Sequence, residues 1–326
     1  MTEKPNLRNI GGAIARNHFN GIPVEFIVPP RAKVVVVSDM FVGDYQGGAE
    51  LTTEALILKS PQEVFKVHSQ SLTIEMLEKF KDRHWIICNF TGVDVSALGH
   101  LAVSQEIKYS VVEYDYKYCM FRSEVLHKKQ TGHECDCPLR PHGILVEKLL
   151  SNAQKVFWMS EKQKEHYFSR IPSLIFSDAD KHVVLGSVFS DETLGVLSSL
   201  LEEKTKQPPR KIPMKIWGVQ GSQNWIKGTK ETVEECARLK LPVKILQNME
   251  PSKFLQELAK CDGFIFKPLD FDTCPRVVIE ARVLGCELML NDNVQHKDEE
   301  WFNKSPQEIL ECLKARPLAF WSNIAL

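Results

Sequence analysis

Along residues 33–316, short apolar runs of strand length alternate with stretches whose apolar positions recur at helical spacing. Residues 34–37 are consecutive valines. A β-branched run with no polar alternation is what a strand covered on both faces of a parallel sheet requires. Further runs at 63–67, 85–88, 109–113, 156–159 and 183–185 predict more strands. Between them, the patterns over 49–59, 71–80, 143–152 and 161–170 predict helices. The polar, proline-containing stretch 201–213 breaks this rhythm and reads as a solvated connection. A second series follows, with strands at 214–217, 243–246, 263–266 and 287–290 and helices at 227–240, 251–260 and 275–285. Such alternation argues for doubly wound parallel sheets, used twice.

These patterns predict an α/β protein of two Rossmann-like lobes facing across a cleft. Residues 1–32, punctuated by Gly11-Gly12 and Pro29-Pro30, are expected to be a helix-containing extension. The first lobe is then 33–182 and the second 183–316, although a boundary near 208 fits the pattern as well. A last helix over 317–326 can cross back to the first lobe. A length of 326 residues suits two domains of ordinary size.

Composition narrows the function classes. Hydrophobic residues make up 43% and charged residues 25%, as in globular proteins. A net charge of −1 supplies no general attraction for nucleic acid or anionic lipid. The polar start lacks the apolar core of a secretory signal, and no run is long enough to span a bilayer. The nine cysteines are odd in number and scattered, with Cys88, Cys261 and Cys286 inside apolar patterns. That usage suits reduced thiols and a cytoplasmic location.

The most informative chemistry lies between Phe266 and Gly285. A strand ends near Phe266, a loop carries Asp270 and Asp272, and Thr273-Cys274-Pro275 opens a helix that Gly285 stops. The loop thus sits at the carboxyl end of a parallel strand, where open α/β sheets bind ligands. Free amides at the helix start suit a phosphate, which places Thr273, Cys274 and Arg276 beside it. Glu280 needs hydroxyl or other donors, because an ionised carboxylate only accepts hydrogen bonds.

This stretch resembles the donor-binding segment of the retaining GT-B glycosyltransferases, the nucleotide-sugar-dependent group 1 transferases. Asp272, seven residues, then Glu280-Ala281 and a closing Gly285 follow that family's acid-to-Glu spacing. The resemblance implies that Glu280 binds the donor ribose and that Asp272 stands near the sugar and its departing phosphate. Asp272 is one methylene shorter than the family's Glu. A second match is the loop Trp217-Gly-Val-Gln-Gly-Ser-Gln-Asn-Trp-Ile-Lys227-Gly228. Its Lys227 is implied to hold the donor diphosphate, and a compact ammonium suits that task. The arginine usual before it is missing; Gln220 and Gln223 occupy the loop. A third match is the Gly47-Gly48 pair after the first strand, whose backbone can approach donor or acceptor closely.

The resemblance implies transfer of a sugar from a nucleoside-diphosphate sugar to a glycan or other hydroxyl acceptor, with retention and without a metal or cofactor. Asp115, at another strand end of the first lobe, is a candidate for the acceptor or the sugar. Two other readings share the fold: a nucleotide-sugar epimerase and a non-catalytic sugar-nucleotide-binding subunit. No metal is assigned. Asp270-Phe-Asp272 reads as the sugar loop and Asp178-Ala-Asp180 as a turn. Cys119, His133, Cys135, Cys137 and His142 cluster in sequence, but Cys135-Asp-Cys137 departs from ordinary zinc-ligand spacing. That stretch is expected to be a disordered or mobile loop on the acceptor side, with a structural zinc on Cys119, Cys135 and Cys137 with His133 as the alternative. His68 and His100 have no evident partners.

Overall fold

The computed structural model describes His18–Phe19, Ile22–Pro23 and residues 32–206 and 215–324. The helix expected within 1–32 lies outside the described residues. What is described there is a short antiparallel pair, β1 (His18–Phe19) and β2 (Ile22–Pro23).

The chain divides into two compact units. The first runs to Met159, resumes over Gln163–Val188 and takes in the chain from Pro317. The second comprises Ser160–Lys162 and Phe189–Arg316. The polar stretch after 201 therefore falls within the second unit.

In the first unit, β3 (Val34–Ser38), β4 (Val64–His68), β5 (His84–Ile87), β6 (Tyr109–Glu113), β7 (Val156–Trp158) and β8 (His182–Val184) form a parallel sheet. Their order is β4-β3-β5-β6-β7-β8. β3 is wholly buried, as its valine run predicts. Val34 lies opposite both Val64 and His84, so the chain winds out in one direction from β3 and then reverses. The helices α1 (Gly48–Leu58), α2 (Ile74–Lys79), α3 (Val95–Val103), α4 (Glu124–Thr131), α5 (Pro141–Asn152) and α6 (Glu161–Arg170) connect the strands. The core centres on Val35, Trp85, Val111, Trp158 and Tyr167.

The second unit opens with α7 (Asp191–Lys206), whose Leu194, Leu197 and Leu201 are buried at helical spacing. Four parallel strands follow: β9 (Trp217–Gln220), β10 (Val243–Leu246), β11 (Gly263–Phe266) and β12 (Glu287–Leu290). Their order is β10-β9-β11-β12. The intervening helices are α8 (Thr229–Arg238), α9 (Pro251–Ala259) and α10 (Arg276–Val283). Trp217, Val219, Cys236 and Ile265 form its central cluster.

The closing helix differs from expectation. α11 runs over Pro306–Ser322 with Pro317 inside it. Ser305 and Glu308 form a capping box: the Glu308 carboxylate accepts from Ser305 N at 3.0 Å, and Ser305 Oγ accepts from Glu308 N at 3.4 Å. That start signal, with Pro306 in the first turn, outweighs the interior proline. Beyond Pro317, the Trp321 indole donates to Leu56 O at 2.9 Å, and the Phe320 ring meets Phe157 at 4.4 Å. Among the described residues, no helix is long and apolar enough to cross a membrane.

Candidate functional site

In the second unit, three loops at the carboxyl ends of β9, β11 and β12 are tied together. Asn224 caps a 3-10 turn over Trp225–Lys227, its side chain accepting from Ile226 N at 3.1 Å. Gly228 then takes a left-handed φ of 62°, which lets its Cα pass against Lys267; a Cβ there would lie 2.4 Å from the Lys267 carbonyl oxygen. Leu269 N donates to Ile226 O at 2.7 Å. The third loop joins through Asn291 and Asn293, whose amides both donate to Pro268 O at 2.8 Å. Asp272 is held by its backbone, donating to Asn293 O at 2.8 Å and accepting from Gln295 N at 3.1 Å.

On this frame Lys227 Nζ meets Asp272 Oδ2 at 2.6 Å and stands 5.8 Å from the centre of the Phe266 ring. The two sequence-predicted residues therefore meet directly. Pro275 stands one residue before α10 rather than at its first position. Thr273 and Cys274 are buried just ahead of it. The Arg276 guanidinium, also buried, lies flat on Phe189 at 3.8 Å. Asp270 accepts from the Phe271 amide at 2.7 Å.

Glu280 lies one turn after Arg276 and is half-buried. Burial pushes its carboxyl above the ordinary range, against the pull of Arg276. A desolvated acceptor of this kind favours hydroxyl donors.

In the first unit, Gly47 precedes α1 and Gly48 is its first residue. A Cβ on Gly47 would press on the side chains of Tyr45 and Glu50. Asp115 is not a free carboxylate. Lys117 Nζ reaches its Oδ1 at 3.1 Å, and Arg122 Nε donates to its Oδ2 at 2.6 Å. Lys117, fully buried, also donates to Glu113 Oε1 at 2.9 Å. Burial raises the Glu113 carboxyl to about 7; Lys117 opposes this and the Asp115 charge adds to it. Its Oε2 has no hydrogen-bond partner among the described residues.

Sequence reasoning missed Asp39, directly after β3. Its Oδ1 accepts from Ser69 Oγ at 2.5 Å and Gly92 N at 3.1 Å, and Thr91 donates to Oδ2. Burial works to raise its pKa, but these bonds and the Lys117 charge bring it below the ordinary value. The only sequence signal was its place at the end of a buried strand. The two histidines without evident partners have them: His68 Nδ1 lies 3.3 Å from Asp39 O, and His100 pairs with Glu78 at 2.6 Å.

The cysteine-rich stretch is not a simple loop, since it carries α4 and a 3-10 turn over Cys137–Leu139. His133 is exposed, and exposed His142 bonds Lys117 O at 2.7 Å, so neither joins the sulfurs. His127 does instead. All nine cysteines are free, and all but Cys312 are buried.

An open hollow of about 580 Å³, lined by Lys215, Asp262, Arg282, Glu287 and Lys304, lies at the amino ends of the second sheet's strands. It is therefore at the opposite strand ends from Lys227 and Asp272, where α/β sheets do not usually bind ligands.

Two parallel α/β units with polar groups at the carboxyl strand ends define the GT-B class of fold. Among solved structures, the catalytic domain of starch synthase IV from Arabidopsis thaliana, bound to ADP and acarbose, aligns with a TM-score of 0.52 at 10% identity, over 90% of this chain and 94% of that one. The HepE protein of Anabaena, in complex with UDP and glucose, aligns at 0.47 and 14% identity over 89% and 95%. The UDP-GlcNAc 2-epimerase of Neisseria meningitidis, bound to UDP-GlcNAc, aligns at 0.42 and 12% identity over 89% and 93%. The likeness is one of fold. No sequence-family model and no curated protein sequence matches the chain.

Proposed function

We propose that the chain transfers a sugar, with retention, from a nucleoside-diphosphate sugar to a hydroxyl acceptor on a glycan or similar molecule. The donor is a co-substrate, and neither cofactor nor catalytic metal takes part. The reading is carried by Lys227 paired with Asp272 at the carboxyl ends of β9 and β11, with the Glu280 carboxylate one turn into the helix that follows. Glu280 grips the ribose hydroxyls. The Lys227 ammonium stabilises the charge that grows on the leaving diphosphate, an effect that often dominates such reactions. Amides at the start of α10, around Thr273 and Cys274, add to it. Asp272 keeps Lys227 in place and meets the sugar. On the acceptor side, the backbone at Gly47 and Gly48 and the Asp115 carboxylate, fixed by Lys117 and Arg122, receive the hydroxyl substrate. The protein works as a cytoplasmic enzyme.

Melting temperature is measured with UDP, GDP and ADP. A nucleotide at about 100 times its Kd adds roughly 2.7 kcal/mol to stability. One of the three is expected to raise the melting point, and Lys227→Ala and Glu280→Ala are each expected to abolish the shift. No shift with any nucleotide would overturn the donor site. Product analysis without acceptor separates the rivals: sugar isomerisation identifies an epimerase, and binding without turnover of any donor–acceptor pair identifies a binding subunit.

A further inference from the structure

After β6, the first unit makes an excursion whose four chemically soft side chains converge. Cys119 ends the turn that follows Lys117. Eight residues later His127 projects from α4, and eight further on comes Cys135, followed by Cys137. One ligand atom from each of these four side chains lies within 4.8 Å of every other, and all four residues are buried. His127 Nδ1 is 3.3 Å from Cys137 Sγ and 3.8 Å from Cys119 Sγ. A tetrahedral zinc with ordinary bond lengths separates sulfur from nitrogen by about 3.6 Å and sulfur from sulfur by about 3.8 Å.

We propose that Cys119, His127, Cys135 and Cys137 bind one zinc ion as a closed structural site. Three thiolates and an imidazole select zinc over magnesium or calcium. With every coordination position filled by protein, no place is left for a reacting water, so the site is structural.

The surrounding chain is built to hold this geometry. Ser123 caps α4, accepting from Leu126 N at 2.9 Å, and so sets the turn of helix that carries His127. Gly132 ends α4 with a left-handed φ of 77° and turns the chain back toward Cys135. The edge of the Phe121 ring packs against the His127 imidazole at 5.4 Å. Arg170 donates to the Cys135 carbonyl, and Cys119 Sγ lies 3.5 Å from Ser123 O. Gly143 of α5 passes so near that a Cβ would sit 2.1 Å from the Cys137 carbonyl oxygen. Only glycine there lets α5 seat the 3-10 turn with Cys137 facing inward. The short Cys135-Asp-Cys137 spacing is accommodated because Asp136, at φ −107° and ψ 8°, bends the chain between the two cysteines just before that turn begins.

Such a site staples the excursion to the strand end it leaves. Cys119 follows Lys117 by two residues, and Arg122 lies within the loop that the metal closes. Both cations grip Asp115. Zinc therefore holds the charged cluster at the end of β6 without touching it.

The purified full chain, expressed with zinc and kept reduced, is analysed by plasma mass spectrometry. One zinc per chain is expected, lost on treatment with a strong chelator together with a fall in melting temperature. Exchange of the wild-type protein into cobalt is expected to give the visible bands of a tetrahedral ion and the near-ultraviolet charge-transfer bands of thiolate ligation; this readout needs no variant to fold. His127→Ala and Cys135→Ser are expected to lose the metal, whereas His133→Ala retains it. A folded wild-type protein without stoichiometric metal overturns the proposal. So does a disulfide among the three cysteines, or cobalt spectra lacking thiolate bands.

Discussion

Lys227 and Asp272 carry opposite charges 2.6 Å apart, with side-chain exposures of 29% and 12%. Water reaches the ammonium, so the pair adds little to stability, on the order of 1 kcal/mol or less. Each was legible as a candidate because it stands in a local motif at a strand end; their direct pairing was not expected. Asp39 was not legible, since its partners Ser69, Thr91 and Gly92 lie 30 or more residues away and only the fold assembles them; His127 lies within ten residues of its cysteines but in no ordinary ligand spacing. His296 shows the same limit. It is wholly buried, stacked on Trp301 at 5.7 Å and edge-on to Phe302 at 4.6 Å, and neither ring nitrogen has a hydrogen-bond partner among the described residues. Burial, aided by the Arg316 charge, lowers its pKa to about 3. The unfolded chain takes up this proton first, near pH 6.5. Stability from a neutral His296 is therefore lost as pH falls from about 6.5 toward 3. His296→Phe removes the titration while keeping an aromatic ring. Between pH 7 and 5 the variant is expected to lose about 2 kcal/mol less than the wild type. Urea midpoints at the two pH values measure this, and equal losses would show that His296 titrates alike in both states.

Elements were legible where burial on both faces leaves an unbroken apolar run. The strands at 34–38 and 263–266, buried throughout, fall where that pattern puts them. Helix ends were harder. At α11 a capping box at Ser305 and Glu308 sets the start, while Pro317 gives a false signal eleven residues after Pro306. In the cysteine-rich stretch, turn-forming residues such as Gly132 and Pro138 suggested a loop, yet α4 and the 3-10 turn over Cys137–Leu139 organise it. The turn between β9 and α8 shows how one backbone position serves the site. Gly228 combines a left-handed φ with contact against the Lys267 carbonyl. Gly228→Ala is expected to destabilise the second unit by about 1–3 kcal/mol and to weaken nucleotide binding with it, because Lys227 moves with the turn. Gly195→Ala, at an exposed position inside α7 with open space around it, should instead stabilise by about 1 kcal/mol and leave binding unchanged. Denaturant midpoints and nucleotide-induced melting shifts check both. If Gly228→Ala bound nucleotide as the parent does, the turn would not position Lys227.

The whole molecule holds two parallel sheets, each with its own buried cluster. The two proposed ligands belong to different units. Lys227, Asp272 and Glu280 lie in Phe189–Arg316, whereas Cys119, His127, Cys135 and Cys137 precede Met159. A ligand that binds only the native form of one unit stabilises that unit by mass action and leaves the other's intrinsic stability alone. Scanning calorimetry of the full chain is therefore expected to resolve two transitions with separate addresses. Nucleotide should raise one, and Lys227→Ala should cancel that rise. Metal removal should lower the other, and Lys227→Ala should leave that fall intact. A crossed result, with chelation lowering the transition that nucleotide raises, would mean that the two cores melt as one cooperative block. The charged cluster at the end of β6 links the metal to catalysis in the same test: with its staple gone, Lys117 and Arg122 lose their fixed hold on Asp115, so transfer to acceptor should fall while the nucleotide-dependent rise persists.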